Sequence, residues 1–179
     1  MSEEIIKRDT VAPGASVSPR DSSSIRRANT REFLGFVVDE ERYALPLHAI
    51  REILKVPPVT DVPRSPADIL GVISVRGRIT TVVDLRRRLR VRTRPTDQRS
   101  RVLLVDSGDE IIGMLVDEVL QVYRLAEDEI ELAGVVGGDI SEHVLGIGRP
   151  RGRASRDQAP ASNPDEILIL LDPGPLLQR

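Results

Sequence analysis

Short runs of Val, Ile and Leu recur along this chain between turn signals, and they limit what it can fold into. Runs of about four to eight such residues, bounded by Gly, Pro, Asn or Asp, are typical of β-strands. We expect strands at 33–38, 42–45, 59–62, 69–75, 78–85, 102–106, 111–116, 118–123, 144–147 and 166–171. About ten short strands with little helix predict an all-β protein, built as barrels or a sandwich.

A short amphipathic helix is expected after the second strand. Pro46 suits the first turn of a helix, and apolar residues follow at helical spacing, namely Leu47, Ile50, Ile53 and Leu54. The pair Pro57-Pro58 would end this helix. The residues at 65–68, Ser-Pro-Ala-Asp, have the form of a capping box and predict one further helical turn.

Two polar segments fall outside the strand pattern. Residues 1–30 combine charges with Ser, Pro and Gly, so they cannot bury enough surface to offset the entropy of ordering, and we expect a disordered tail. Residues 149–164 contain three prolines and a glycine and predict a flexible loop inserted between two strands. The sequence therefore predicts one domain at 31–177, preceded by a tail at 1–30.

The residue types that usually carry chemistry are scarce. The chain has no cysteine, which excludes disulfides and thiol nucleophiles and fits a reducing cytoplasm. Its two histidines, His48 and His143, have no third His or Cys at metal-ligand spacing, and we interpret both as structural. The glycine-rich stretches at 134–138 and 146–148 lack the Lys-Ser/Thr of a phosphate loop. We expect no enzyme, no catalytic residue, no metal and no cofactor.

Membrane insertion is not expected either. The longest apolar run, 167–171, is far too short to cross a bilayer. Residues 1–31 contain no apolar segment of the kind that a signal peptide requires. The sequence gives no indication of secretion.

The charges are segregated, although the net charge is only −2. Residues 86–101 contain eight arginines against one acidic residue, and residues 106–142 contain eleven carboxylates against one arginine. The arginine run could neutralise phosphates, but no aromatic residues interleave with it to stack on bases. We interpret it as a solvated segment and expect no nucleic acid as partner, while a basic-patch regulator stays open as an alternative.

A strand-turn-strand pattern at 71–86 reads GVISVRGRITTVVDLR. It resembles the hallmark of the CheW-like domain, the coupling module of bacterial chemosensory arrays. Four further stretches resemble the same family in order, namely FLGFVV at 33–38, IREI at 50–53, GMLVDEV at 113–119 and LGIG at 145–148. The segment 167–172 is similar to its closing strand, so the resemblance covers about 31–177.

The resemblance implies a fold and a set of partners. The fold would be two intertwined five-stranded SH3-like β-barrels with a groove between them for receptor tips. The chain would be a non-catalytic adaptor that couples the cytoplasmic tips of chemoreceptors to a CheA-type histidine kinase through the kinase's own CheW-like domain. It would act in the cytoplasm, associated with membrane-bound receptor arrays. A CheW-like scaffold in a non-flagellar motility pathway is the alternative within the family.

The resemblance also implies a site for the receptor or kinase, formed by Ile50, Glu52, Ile53, Arg76, Gly77 and Asp84. A tight turn at Arg76-Gly77 needs φ > 0, which Gly supplies without steric strain. Arg76 would then form a charge-assisted pair with Glu52 on the predicted helix, and this pair either locks the fold or shapes the groove wall. Helical spacing places Ile50 in the core, whereas the resemblance places it beside the groove.

Two departures from the family pattern carry expectations of their own. Thr81 stands where the family usually has Pro, so the strand can regain a backbone donor. Residues 172–175, Asp-Pro-Gly-Pro, are expected to prevent the short terminal helix that the family often has.

Overall fold

The computed structural model of the protein describes residues 30–108, 110–133, 143–151 and 166–178. Within these ranges the chain forms eleven strands and two short α-helices, with a 3₁₀ turn at Leu47–Ala49 and another at Glu127–Glu129. The elements are β1 (Thr30–Val38), β2 (Glu41–Pro46), β3 (Ile50–Lys55), β4 (Ile69–Val75), β5 (Arg78–Asp84), α1 (Leu85–Arg88), β6 (Arg101–Asp106), β7 (Ile111–Val116), β8 (Glu118–Ala126), β9 (Ile130–Leu132), β10 (Val144–Gly148), β11 (Leu168–Leu171) and α2 (Pro173–Leu177).

The strands form two sheets, one of six strands and one of five. The first sheet has the order β8-β1-β2-β11-β10-β9, and the second has the order β3-β6-β7-β5-β4. The chain therefore starts in the first sheet, forms the whole of the second, and returns to the first at β8. The predicted all-β, intertwined fold is confirmed, although the first sheet has six strands where five were expected.

The strands pack against three apolar cores, which explains why their sequences are continuous apolar runs. The first-sheet core includes Phe33, Tyr123 and Leu168, and the second-sheet core includes Val82 and Val102. A third, the junction core, lies between the sheets and includes Phe36, Leu45, Leu103, Val105, Met114 and Leu171. Alternate residues of a strand point to opposite faces, and here one face lines a sheet's own core while the other packs at the junction.

Strand β6 shows this arrangement clearly. Val102 and Leu104 lie in the second-sheet core, while Leu103 and Val105 lie in the junction core. All four side chains are buried. Since every strand of the second sheet supplies residues to the second-sheet core, that sheet curls around its own interior as a barrel does.

The predicted amphipathic helix at 46–56 is wrong. A 3₁₀ turn at Leu47–Ala49 is followed by β3, in which half-buried and exposed residues alternate from Ile50 to Lys55. The strand pairs with β6, and Ile50 lies opposite Val105. Spacing alone could not distinguish the two structures, because β-branched isoleucine suits a strand and the decisive partner, β6, lies far along the chain.

Two smaller expectations in the following segment also fail. The predicted strand at 59–62 is reduced to a single bridge between Thr60 and Val72. The predicted helical turn at 65–68 is a hydrogen-bonded turn in which the N–H of Ile69 donates to the carbonyl of Pro66, at 3.0 Å. The thirteen residues between β3 and β4 include four prolines, which lack the backbone N–H that a helix interior requires.

The terminal helix that proline and glycine were expected to prevent is present as α2. Pro173 occupies its first position, where a missing N–H breaks no helical hydrogen bond and the fixed φ suits the helix. The side chain of Asp172 accepts a hydrogen bond from the N–H of Gly174 at 2.9 Å and caps the first turn. Leu176 and Leu177 then pack into the junction core.

The predicted tail at 1–30 lies outside the described residues, except that Thr30 already pairs with Ala126 as the first residue of β1. Residues 152–164 of the predicted loop also lie outside them. Its first residues are held: the N–H of Arg149 donates to the carbonyl of Glu129 at 2.8 Å, and that of Arg151 donates to the Glu129 carboxylate at 3.0 Å. In the described ranges, no helix has the length and apolar character needed to cross a membrane.

Candidate functional site

The turn between β4 and β5 consists of Arg76 and Gly77, with Val75 paired to Arg78 on either side. The φ angles of the two turn residues are +49° and +82°, the positive pair that a two-residue type I′ hairpin requires. A side chain at Gly77 would meet no atom within 4 Å, so conformation alone favours glycine here. The predicted glycine turn is confirmed, and Arg76 also adopts positive φ.

The predicted ion pair between Arg76 and Glu52 is present, with Nη2 of Arg76 donating to Oε1 of Glu52 at 3.1 Å. Glu52 lies on strand β3 rather than on a helix. The pair therefore links β3, one outer strand of the second sheet, to the turn that follows β4, the other outer strand. The Thr60–Val72 bridge links the segment after β3 to β4. Arg76 is 81% exposed, so the pair contributes only about 0–1 kcal/mol to stability.

Two exposed isoleucines lie near this ion pair in the sequence. Ile53 follows Glu52 on β3 and is exposed, whereas Ile50 is half-buried and packs against the junction core. Ile79, just after the turn, is 73% exposed, while its neighbour Thr80 is buried. Sequence reasoning missed Ile79, although its position two residues from the turn, beside a buried threonine, is the signal that could have found it.

A second ion pair lies at the start of β3. Nε of Arg51 donates to Oδ2 of Asp106 at 3.1 Å, and the N–H of Gly108 donates to Oδ1 at 2.9 Å. The hydrogen bond from Arg51 is the main reason that the pKa of Asp106 is lowered, and the Gly108 N–H adds to it. The carboxylate therefore stays charged at neutral pH, and β3 carries ion pairs at two points along its length.

Asp84 is not brought together with the other five predicted residues. It is buried at the opposite end of β5, where its carboxylate accepts a hydrogen bond from the N–H of Arg86 at 3.0 Å and caps α1. It also pairs with Nε of Arg87 at 3.3 Å. The structure gives Asp84 a local structural role.

Arg86 overturns the interpretation of the arginine run as a solvated segment. Its guanidinium is ion-paired with Asp117, and both side chains are only 2% exposed. Asp117 stands between β7 and β8, where the chain passes from the second sheet to the first. It also accepts a hydrogen bond from the N–H of Asp39 at 2.8 Å and pairs with Arg94 at 3.3 Å.

Most other arginines of the run are also bound to the protein itself. Arg88 pairs with Asp68 at 2.8 Å and donates to the carbonyl of Leu176, and Arg99 pairs with Glu118 at 3.3 Å. All four aromatic residues of the chain are buried: Phe33, Phe36, Tyr43 and Tyr123. The surface thus has no exposed ring for stacking on a nucleic-acid base.

A pocket of about 180 Å³ lies where α2 meets the second sheet. Its lining includes Ile69, Val83, Ile112, Leu176 and Leu177, and none of the six predicted site residues. The part of the chain that the structure describes holds no group of three or more His, Cys, Asp or Glu side chains that could bind a metal. Around Arg76 the described chain has an exposed ion pair and two exposed isoleucines.

Comparisons with known proteins extend these observations. The family model of the CheW-like domain matches residues 32–179. A chemotaxis protein CheW of Helicobacter pylori is 30% identical over 122 residues, which are 68% of this chain and 74% of that protein. Protein FrzA of Myxococcus xanthus is 32% identical over 149 residues, which are 83% and 86% of the two chains.

A solved structure shares the architecture. The crystal structure of the scaffolding protein TtCheW from Thermoanaerobacter tengcongensis matches with a TM-score of 0.67 at 26% identity, covering 80% of this chain and 89% of that one. The family model spans every strand after the first residues of β1. On these grounds the chain belongs to the CheW-like domain family.

Proposed function

We propose that this protein is a non-catalytic chemotaxis adaptor that couples chemoreceptors to a CheA-type histidine kinase. Its relatives include chemotaxis proteins CheW, and a solved neighbour is a scaffolding protein of the same fold. The observation that carries the proposal in this molecule is the exposed Arg76–Glu52 pair, with exposed Ile53 and Ile79 close to it in the sequence. The adaptor acts in the cytoplasm, at the receptor tips of membrane-bound arrays.

The composition of this face supports binding to another protein. Arginine and large apolar side chains are enriched at the centres of protein interfaces, and a few such residues supply most of the binding free energy. Ile53 and Ile79 expose apolar area that the fold itself does not bury. Arg76, in the turn before Ile79, keeps most of its side chain accessible.

The positions of the six predicted site residues suggest how each would contribute to binding the receptor or the kinase. Glu52, Ile53, Arg76 and Gly77 form the contact face for the kinase's CheW-like domain or a receptor tip, and Ile50 supports it from the junction core. Asp84 contributes indirectly, because its carboxylate caps α1 instead of reaching the surface. We assign the receptor tips to the groove that the family resemblance implies between the two sheets.

Replacing Arg76 by alanine tests the proposal. Because the ion pair is exposed, we expect the variant to remain folded, with a loss of unfolding free energy on the order of 1 kcal/mol. Loss of an interface hot spot should weaken binding by about 2 kcal/mol or more, which is over tenfold in affinity. The measurements are thermal melting, receptor and kinase pull-down, and receptor-dependent kinase activation.

Arg124→Ala is the matched control. Arg124 forms a comparable exposed ion pair with Glu32 on the first sheet, at 2.8 Å, away from the proposed face. It should lose as little stability and bind normally. An Arg76→Ala protein that melts like the control and supports full kinase activation would show that this face does not bind the partners. An unfolded Arg76→Ala protein would show that the pair serves the fold.

A further inference from the structure

Three of the four non-glycine residues with positive φ in the described ranges are arginines. The φ angles are +62° for Arg64, +49° for Arg76 and +58° for Arg90. The fourth, Asp39, is of a residue type that tolerates this conformation. Arginine does not favour it, because its Cβ approaches the following carbonyl oxygen, and glycine would hold the same backbone with less strain.

Arg64 occupies a turn position that usually belongs to glycine. The N–H of Ser65 donates to the carbonyl of Val62 at 3.2 Å, so residues 62–65 form a tight turn. Pro63 is its second residue and Arg64, with positive φ, its third. This is the arrangement of a type II turn, whose third residue is normally Gly or Asn.

Arg90 occupies a second glycine position, at the end of α1. The N–H of Val91 donates to the carbonyl of Arg86 at 2.9 Å, and that of Arg90 donates to the carbonyl of Arg87 at 3.1 Å. These two hydrogen bonds, with positive φ at Arg90, make up a Schellman motif. Glycine is the residue most often found where Arg90 stands.

The two arginines belong to neighbouring parts of the surface. Nη1 of Arg87 donates to the carbonyl of Ala67 at 2.9 Å, and Arg88 pairs with Asp68. The turn that carries Arg64 is thereby held against the helix that precedes Arg90. Both arginines are exposed, and neither side chain forms a hydrogen bond or ion pair with another described residue.

We propose that Arg64 and Arg90 form a docking surface for a carboxylate-bearing segment of a partner protein. Both arginines have a strained backbone, and their side chains have no partner within the described chain. Binding of these side chains to a group on another protein would explain why arginine stands at both positions. Guanidinium groups bind carboxylates in a two-pronged geometry. Val62, 40% exposed beside the turn, adds the apolar area of a protein interface, whereas no aromatic ring is exposed for a nucleic acid.

The inference rests on the proposed adaptor function, and it can be tested by replacing the two arginines with glycine. Arg64→Gly and Arg90→Gly remove the guanidinium groups while relieving the strained backbone. The double variant should therefore keep or raise the melting temperature. Its affinity for either the receptor tip or the histidine kinase should fall about tenfold or more, and the remaining binding should depend less on salt. Titrations of the full-length chain against each purified partner measure this.

Asp39→Gly is the control, because it relieves the same backbone conformation elsewhere and should leave both affinities unchanged. If the wild-type chain binds neither partner, the adaptor function itself fails. If it binds and the double glycine variant binds equally well, the docking surface is wrong. Duplex DNA and vesicles of anionic phospholipid serve as two further probes. Binding to either that disappears in the double variant would assign these arginines to phosphate and overturn the proposal.

Discussion

The Arg86–Asp117 pair is the clearest case of a single contact that holds the two sheets together. Asp117 pairs with Arg86 from α1 and Arg94 from the following loop, and it accepts a hydrogen bond from the N–H of Asp39 in the β1–β2 turn. Its own N–H donates to the carbonyl of Val37 at 3.0 Å. One carboxylate therefore connects both sheets at the point where the chain crosses between them.

Removing that charge should destabilise the protein strongly. In Asp117→Asn, the buried guanidinium of Arg86 loses its counter-charge, and we expect a loss of about 3 kcal/mol in the free energy of unfolding. Urea denaturation measures the change. Glu32→Gln, which removes the exposed partner of Arg124, should change it by less than about 1 kcal/mol. Equal effects of the two substitutions would contradict a structural role for the buried pair.

Tyr123 links the first-sheet core to the end of the inserted loop. Its hydroxyl donates to Oε1 of Glu166 at 2.6 Å, and Glu166 is also paired with Arg42. Burial of the ring, followed by the hydrogen bond to Glu166, raises the pKa of Tyr123 to about 12 from 10.0. The folded protein thus retains the phenolic proton more tightly than the unfolded chain does.

The direction of this shift predicts alkaline destabilisation. The contribution of Tyr123 is complete below pH 10, and it should be lost as the pH rises from 10.0 to about 12, because the unfolded chain ionises first. Urea melts of the wild type across this range should show falling stability. Tyr123→Phe should show a smaller fall. An equal fall in both proteins would assign the alkaline loss to other groups.

At the scale of elements, the edge of the second sheet closes where β4 approaches the segment after β3. Gly71 makes this possible: its φ is +148°, and a Cβ there would lie 2.3 Å from the carbonyl oxygen of Thr60. Thr60 and Val72 exchange two backbone hydrogen bonds at 2.9 Å beside it. Gly77, in the turn at the other end of β4, has open space around it.

The two glycines should therefore respond differently to alanine. Gly71→Ala must displace the Thr60 backbone and open the sheet edge, and we expect a loss of about 3 kcal/mol in unfolding free energy. Gly77→Ala meets no atom and should lose only about 1 kcal/mol, from the positive φ alone. Thermal or urea melts compare them. A larger loss in Gly77→Ala would mean that the hairpin turn, not the edge contact, limits stability.

Local elements were the most predictable from sequence. The β4–β5 hairpin is specified by a two-residue turn, and the residues on either side of it alternate between the two faces of the sheet, as strand residues do. Nine of the ten predicted strands are present, with bounds within three residues. The exception among larger elements is β3, because its identity depends on pairing with β6 and its own residues fit either periodicity.

At the scale of the whole molecule, the two sheets form one interlocked body. The first sheet takes strands from both ends of the described chain, and β2 and β11 pair in parallel at its centre. The junction core draws on both sheets, so neither can bury its outer apolar face without the other. The proposed contact face around Arg76 lies on the second sheet, whose position is fixed by this shared core.

The sequence by itself determined the all-β class, the hairpin at Arg76-Gly77 and the choice of Glu52 as the partner of Arg76. The first two depend on local turn chemistry and strand periodicity, and the third on resemblance to a family. Only the tertiary structure decided that Arg86 is buried, that residues 50–55 form a strand, and that Arg64 and Arg90 adopt strained positive φ angles. Burial and strand pairing depend on residues brought together from distant parts of the chain. A local sequence pattern therefore cannot predict which charged side chains will form an ion pair.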